Sequence, residues 1–286
     1  MIPPAFLPIA SPGAALRAYA DHELGIAAAW LEAQGGRAHA GVHEARKSIR
    51  RARAAVALGR GALGAGARLV DRELRRLNRG LSALRDAHAL VEVLERLAMR
   101  SHGEADRRML RRARRAARVE AGKVRGRCAG DLAAAGETLA VLRAALRSLP
   151  WEAVTRPDCE RALARARSRA DAAGQRACKS DSDACWHRWR RRVRRLVHEG
   201  RACSMSGLAM PHDLRFEHCL AVQLGIAGEL DLLRRCCGRD SCFSMPDRPL
   251  LRRFARKVLA RQRRRIVSVV ALRRGRGARR SDPLPH

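Results

Sequence analysis

His43, Arg46, Lys47, Arg50, Arg51 and Arg53 all fall within VHEARKSIRRAR, residues 42–53. The set holds hydrogen-bond donors and positive charge but no nucleophile. Guanidinium groups bond phosphate oxygens in pairs, and an imidazole adds a ring N–H, so the chemistry available is the capture of an oxyanion. Three readings fit such a stretch: a solvated helix face, a grip on nucleic acid, or part of a pocket for another polyanion.

The stretch has a counterpart. WHRWRRRVRRLV at 186–197 lies over it at an offset of 144, so that His43 meets His187, Arg46 meets Arg190, Lys47 meets Arg191, and Arg50 meets Arg194. The apolar positions agree too: Val42, Ala45, Ile49 and Ala52 answer to Trp186, Trp189, Val193 and Leu196. Their spacing makes one stripe of a helix, and at about 100° per residue His43, Lys47 and Arg50 form a second stripe well away from it. The same holds for His187, Arg191 and Arg194. Like charges four residues apart on one stripe repel. Their repetition in register, with one glutamate in the first stretch and none in the second, argues for a functional basic stripe, facing either bulk water or a cleft between the halves.

The repeat continues into LSALRDAHAL (81–90) and LGIAGELDLL (224–233), where Asp86 pairs with Glu229. Two acids in so basic a chain are expected to pair with arginines and hold the fold together. A metal would need more converging oxygens, so neither a metal site nor a cofactor is expected. Arg79, Arg253 and Lys257 are further candidates for the anion surface, as are the basic segments 107–127 and 252–265.

Composition sets the bounds. The chain has 60 Lys+Arg against 28 Asp+Glu, a formal net charge of +32, which calls for a polyanionic partner or an anionic surface. Only Lys47, Lys123, Lys179 and Lys257 are lysines. The arginine excess suits phosphate recognition, although a GC-rich genome would give the same bias. Aromatics are 3% of residues, too few for the stacking platforms of single-strand binders. The nine cysteines form no C-x-x-C pair and read as small thiols in a reducing cytoplasm. MIPPAFLPIASPG is not expected to be a signal peptide, and no apolar run reaches the roughly 18 residues of a membrane span. A cytoplasmic protein is expected.

Ala, Leu and Arg recur with a helical period and alternating patterns are scarce, which predicts an all-α fold. Helices are predicted over about 14–34, 38–59, 66–100, 104–149, 158–174, 183–203, 212–236 and 248–274, several of them broken internally, with a mobile basic tail over 276–286.

The pattern V-H-x-x-R-x-x-I-R-R-x-R, followed by L-R-D-A-H-A-L and by a second H-x-x-R-[KR]-x-[VI]-[KR] helix, resembles the CHAD domain, the conserved histidine α-helical domain. The resemblance covers about 12–275, as a single domain with repeat halves at about 12–150 and 151–275. It implies two similar antiparallel helical bundles related by pseudo-two-fold symmetry, with a basic channel between them. It further implies binding of inorganic polyphosphate, targeting to polyphosphate granules and no enzymatic activity. The family's histidine and basic positions fall on His43, Arg46, Arg50, Arg51 and Arg53, and on His187, Arg190, Arg191 and Arg194; Arg85 and Asp86 match its R-D pair. Lys47 stands where an apolar residue is usual, LVHE at 196–199 replaces L-R-Y, and GIAGE lacks the usual Asn-Asp, so the second half follows the family less closely. The E-x-E-x-K segment of the CYTH domain, often found with CHAD domains, does not occur.

Two other functions compete. One is general polyanion or double-stranded nucleic-acid backbone binding, although no helix-turn-helix, zinc-finger or basic-zipper layout is present. The other is a phosphohydrolase or polyphosphate kinase, for which there is no P-loop, carboxylate pair or metal-ligand cluster. A protein client at granules is a further expected partner.

Overall fold

A computed structural model describes residues 11–32, 38–180, 182–208, 213–238 and 240–278. They form ten α-helices: α1 (Pro12–Glu32), α2 (Ala38–Leu58), α3 (Gly64–Gly80), α4 (Ser82–Arg100), α5 (Glu104–Arg127), α6 (Ala129–Arg147), α7 (Arg156–Cys178), α8 (Asp183–Met205), α9 (Arg215–Cys236) and α10 (Asp247–Ala278). A single 3-10 turn, Trp151–Ala153, separates α6 from α7.

The all-α expectation holds, and the apolar stripes explain it. Val42, Ala45, Ile49 and Ala52 of α2 are buried, as are Trp186, Trp189, Val193 and Leu196 of α8. These stripes join one core whose fully buried side chains include Leu16, Leu24, Ile49, Leu74, Leu94, Leu110 and Leu139. Cutting any of these leucines to alanine costs about 2–5 kcal/mol. The offset of 144 recurs at the helix starts. The Ser11 hydroxyl accepts the Ala14 N–H at 3.2 Å ahead of α1, and Thr155 forms a capping box with Asp158 ahead of α7.

Two expected helices break. The span 66–100 turns at Leu81, where Arg46 donates to the Asn78 carbonyl and, at 2.8 Å, to the Ser82 hydroxyl, while Asn78 Nδ2 donates to the Arg46 carbonyl at 2.9 Å. The span 104–149 breaks at Cys128. α10 continues to Ala278, so the first residues assigned to the tail are helical; 279–286 lie outside the described residues.

Consecutive helices pack as antiparallel neighbours, α1 on α2, α4 on α5, α7 on α8 and α9 on α10. Helices equivalent in the repeat also meet each other across the halves: α2 against α8, α4 against α9, α5 against α10. α3 and α6 are additions to the first half, α6 closing over α1 and α3. Close approach within the second half relies on Gly174, where a Cβ would stand 2.9 Å from the Trp189 indole nitrogen. No helix among the described residues is long and apolar enough to cross a membrane.

Candidate functional site

The α2–α8 contact brings the two basic stripes together. Arg46 and Arg50 of α2 share a field with Arg190 and Arg194 of α8 and with Arg85 of α4. Burial and the neighbouring charges of Arg194, Arg46, Arg190 and Arg85 push the Arg50 guanidinium well below its usual pKa. Burial and the same neighbours bring Arg194 down to about 10. Such a cluster is held together by the fold rather than by itself, because like charges in a medium less polar than water repel strongly.

Acids moderate the cluster from one side. Glu229 of α9 accepts from Arg96 and lies 4.0 Å from Arg85, both on α4, and so links α9 to α4. Asp86 is exposed and acts at longer range, raising the pKa of both Arg46 and Arg190 against the effect of burial. Gly228, which answers to Arg85 in the repeat, leaves room for a guanidinium. A Cβ there would stand 2.3 Å from Arg190 Nη1.

On the other side of the cluster opens a cleft of about 630 Å³ between α2 and α3 of the first half and α7 and α8 of the second. The first half gives it Arg50, Arg53 and Arg75, together with Asp71, the one acid among the described residues of its wall. From the second half come Arg169 and Arg176 on α7, and Arg188, Arg191, Arg192, Arg194, Arg195 and His198 on α8. A smaller cavity of about 260 Å³ shares Arg169, Arg192 and Arg195 with the cleft and extends it past Arg60 and Arg165 to Glu199.

The expected site residues therefore separate. Arg50, Arg53, Arg191 and Arg194 border the cleft. Arg46 and Arg190 sit behind it, the first fastened to the α3–α4 corner and the second against Gly228. Arg51 turns toward α1 and bonds the buried Glu23 at 3.3 Å. Arg53 donates to Asp71 at 2.9 Å, and Lys47 to Glu44 at 3.1 Å. His43 and His187 do not border the cleft; burial, then Arg85 for His43 and Arg191 for His187, lowers both below the usual imidazole range. Arg79, Arg253 and Lys257 are exposed and stand apart from the cleft, on α3 and α10. In the basic segments, Arg112 pairs with Asp247, Arg114 with Glu95 and Arg263 with Asp183.

Residues the motif did not point to complete the wall: Arg75, Arg169, Arg176, Arg188, Arg192, Arg195 and His198. Burial, with Arg50 and Arg194 next, holds the His198 ring neutral, its pKa pushed down to about 3. The available signal was the repeat itself, read along α7 as well as α8. Of the nine cysteines, Cys159, Cys203 and Cys237 are buried. No group of three or more His, Cys, Asp or Glu among the described residues is placed to hold a metal ion. The arrangement has the donors and the shape to bind a multiply charged oxyanion.

A family model described as the CHAD domain matches residues 14–208. Among solved structures, PptA from Streptomyces chartreusis superposes with a TM-score of 0.57 at 21% identity, over 91% of this chain and 96% of that one, a likeness of fold. No curated protein matches the chain.

Proposed function

The chain belongs to the CHAD domain family, and from that premise we propose that it binds inorganic polyphosphate in the cleft between its halves, without catalysis, and associates through it with polyphosphate granules in the cytoplasm. The observation that carries this reading is the cleft wall: ten arginines and a histidine face one aspartate across about 630 Å³. A chain of phosphates without bases offers such a wall only charge and oxygen acceptors, which arginine forks satisfy in pairs. Few aromatics are needed for such a ligand, and few are present. Release of condensed counterions adds to the affinity and makes it fall with salt.

Titration of long-chain polyphosphate at two salt concentrations, with duplex DNA as competitor, tests the reading. Wild type is expected to bind tightly and to keep the ligand against DNA at equal phosphate concentration. Arg191→Ala/Arg194→Ala, verified as folded by circular dichroism, is expected to lose at least about tenfold in affinity. Equal affinity for both polymers would mean a general polyanion binder, and metal-dependent release of phosphate would mean an enzyme.

A further inference from the structure

The cleft is not built equally by the two halves. At the offset of 144, Arg165, Arg169, Arg176, Arg188 and Arg192 of the second half answer to Asp21, Gly25, Glu32, Glu44 and Ser48 of the first. A genomic preference for arginine would load both halves alike. All five border the cleft or its extension, and their first-half counterparts border neither. Burial, followed by Arg169, Arg195, Arg191 and Arg188, lowers the pKa of Arg192. The charges acting on it are like charges, and an anion in the groove would relieve them.

The shape of this wall bears on length. Arg165, Arg169 and Arg176 are exposed on one helix, and the eleven steps from the first to the last span roughly 16 Å of its axis. The two cavities share Arg169, Arg192 and Arg195 in their walls, so they adjoin along a row of cations between Arg176 and Arg60. Beside the shared Arg195 lies Glu199, which is 1% exposed, with Oε1 accepting from Arg195 at 2.5 Å. Arg176 and Arg188, on the other side of that junction, are exposed.

We propose that the α7–α8 wall is a one-sided track for an extended phosphate chain, so that this protein selects long chains over short ones. The inference rests on the polyphosphate reading above and adds where the polymer lies and what its length does. A short oligomer fills the part of the cleft around Arg194 and leaves the track empty; a long chain takes both.

The test compares tripolyphosphate with long-chain polyphosphate, titrated per chain against wild type, Arg165→Ala/Arg169→Ala/Arg176→Ala, and a control of equal charge loss on the remote helix α5, Arg108→Ala/Arg111→Ala/Arg115→Ala. All six side chains are exposed, so both variants should fold. The track variant is expected to lose at least about tenfold more affinity on the long chain than on tripolyphosphate, while the control changes little on either. Equal loss on both ligands, or equal loss in the control, would overturn the track. Wild type that binds no polyphosphate would overturn the parent reading, and the track with it; a failure confined to the variants leaves the parent reading standing.

Discussion

The two halves use their arginines differently. In α1 and α2 a basic side chain commonly has an acid of its own half for company: Arg51 has Glu23, Arg53 has Asp71, Lys47 has Glu44. In α7 and α8 the surfaces that line the cleft leave cations facing cations, with Arg195–Glu199 as an internal pair beside it, while Arg161–Asp158 and Arg156–Glu160 pair at the start of α7. Arginine next to a buried carboxylate is an element of folding, and arginine next to arginine is stable only as far as the surrounding fold or a ligand makes it so. The first half thus supplies the frame and the second half most of the cleft wall.

The sharpest way to break that comparison is Glu23→Ala. Glu23 is 3% exposed, and removing it strands Arg51 in a buried setting, with an expected loss of about 3 kcal/mol in urea unfolding and unchanged polyphosphate affinity for the protein that remains folded. A fall in affinity without a fall in stability would place Arg51 among the ligand contacts instead. Arg188→Ala/Arg191→Ala should behave in the opposite way. Both side chains are exposed, so the melting temperature should hold while the slope of log affinity against log salt flattens by about 2.

Arg50→Met stands between these cases, since Arg50 belongs to the first half but lies in the field of Arg194 and Arg190. Replacing a buried guanidinium among like charges is expected to stabilise the free protein by about 1 kcal/mol and to weaken polyphosphate binding, read by paired denaturation and titration.

His198 allows a pH test. Its folded pKa of about 3 lies below the ordinary 6.5, so the unfolded chain binds the extra proton between those values. Stability is therefore present above about pH 6.5 and lost as the pH falls toward 3. Polyphosphate beside Arg50 and Arg194 favours the protonated ring, so affinity should rise as the pH falls. Melting curves and titrations across this range should show both trends weakened in His198→Gln. The smallest effect is expected from Glu44→Gln, which releases Lys47 and should raise affinity about twofold by titration.

Much of this was legible in the sequence, because the apolar stripes of α2 and α8 repeat with the helical period and fix which faces meet. The break at Leu81 was not, since it depends on Arg46 reaching Asn78 and Ser82, more than thirty residues away. In the site, the motif led to Arg50, Arg191 and Arg194, but it could not tell Arg51 and Arg46, whose bonds run inward, from neighbours that face the cleft. The arginines of α7 were hidden for another reason. Alone, each resembles an ordinary solvated side chain, and only the acid or glycine at the matching place in α1 marks it as unusual.

Gly228 carries a lesson for comparing such proteins. In the register of the repeat its column holds Arg85 in one half and nothing beyond the backbone in the other, so a position-by-position comparison would record a lost charge. In space the vacancy is filled by Arg190, arriving from a different helix. Electrostatic equivalence between duplicated units can thus survive while the address of the charge along the chain changes, and a relative with a bulky side chain at 228 should be examined for a displaced or missing partner at 190.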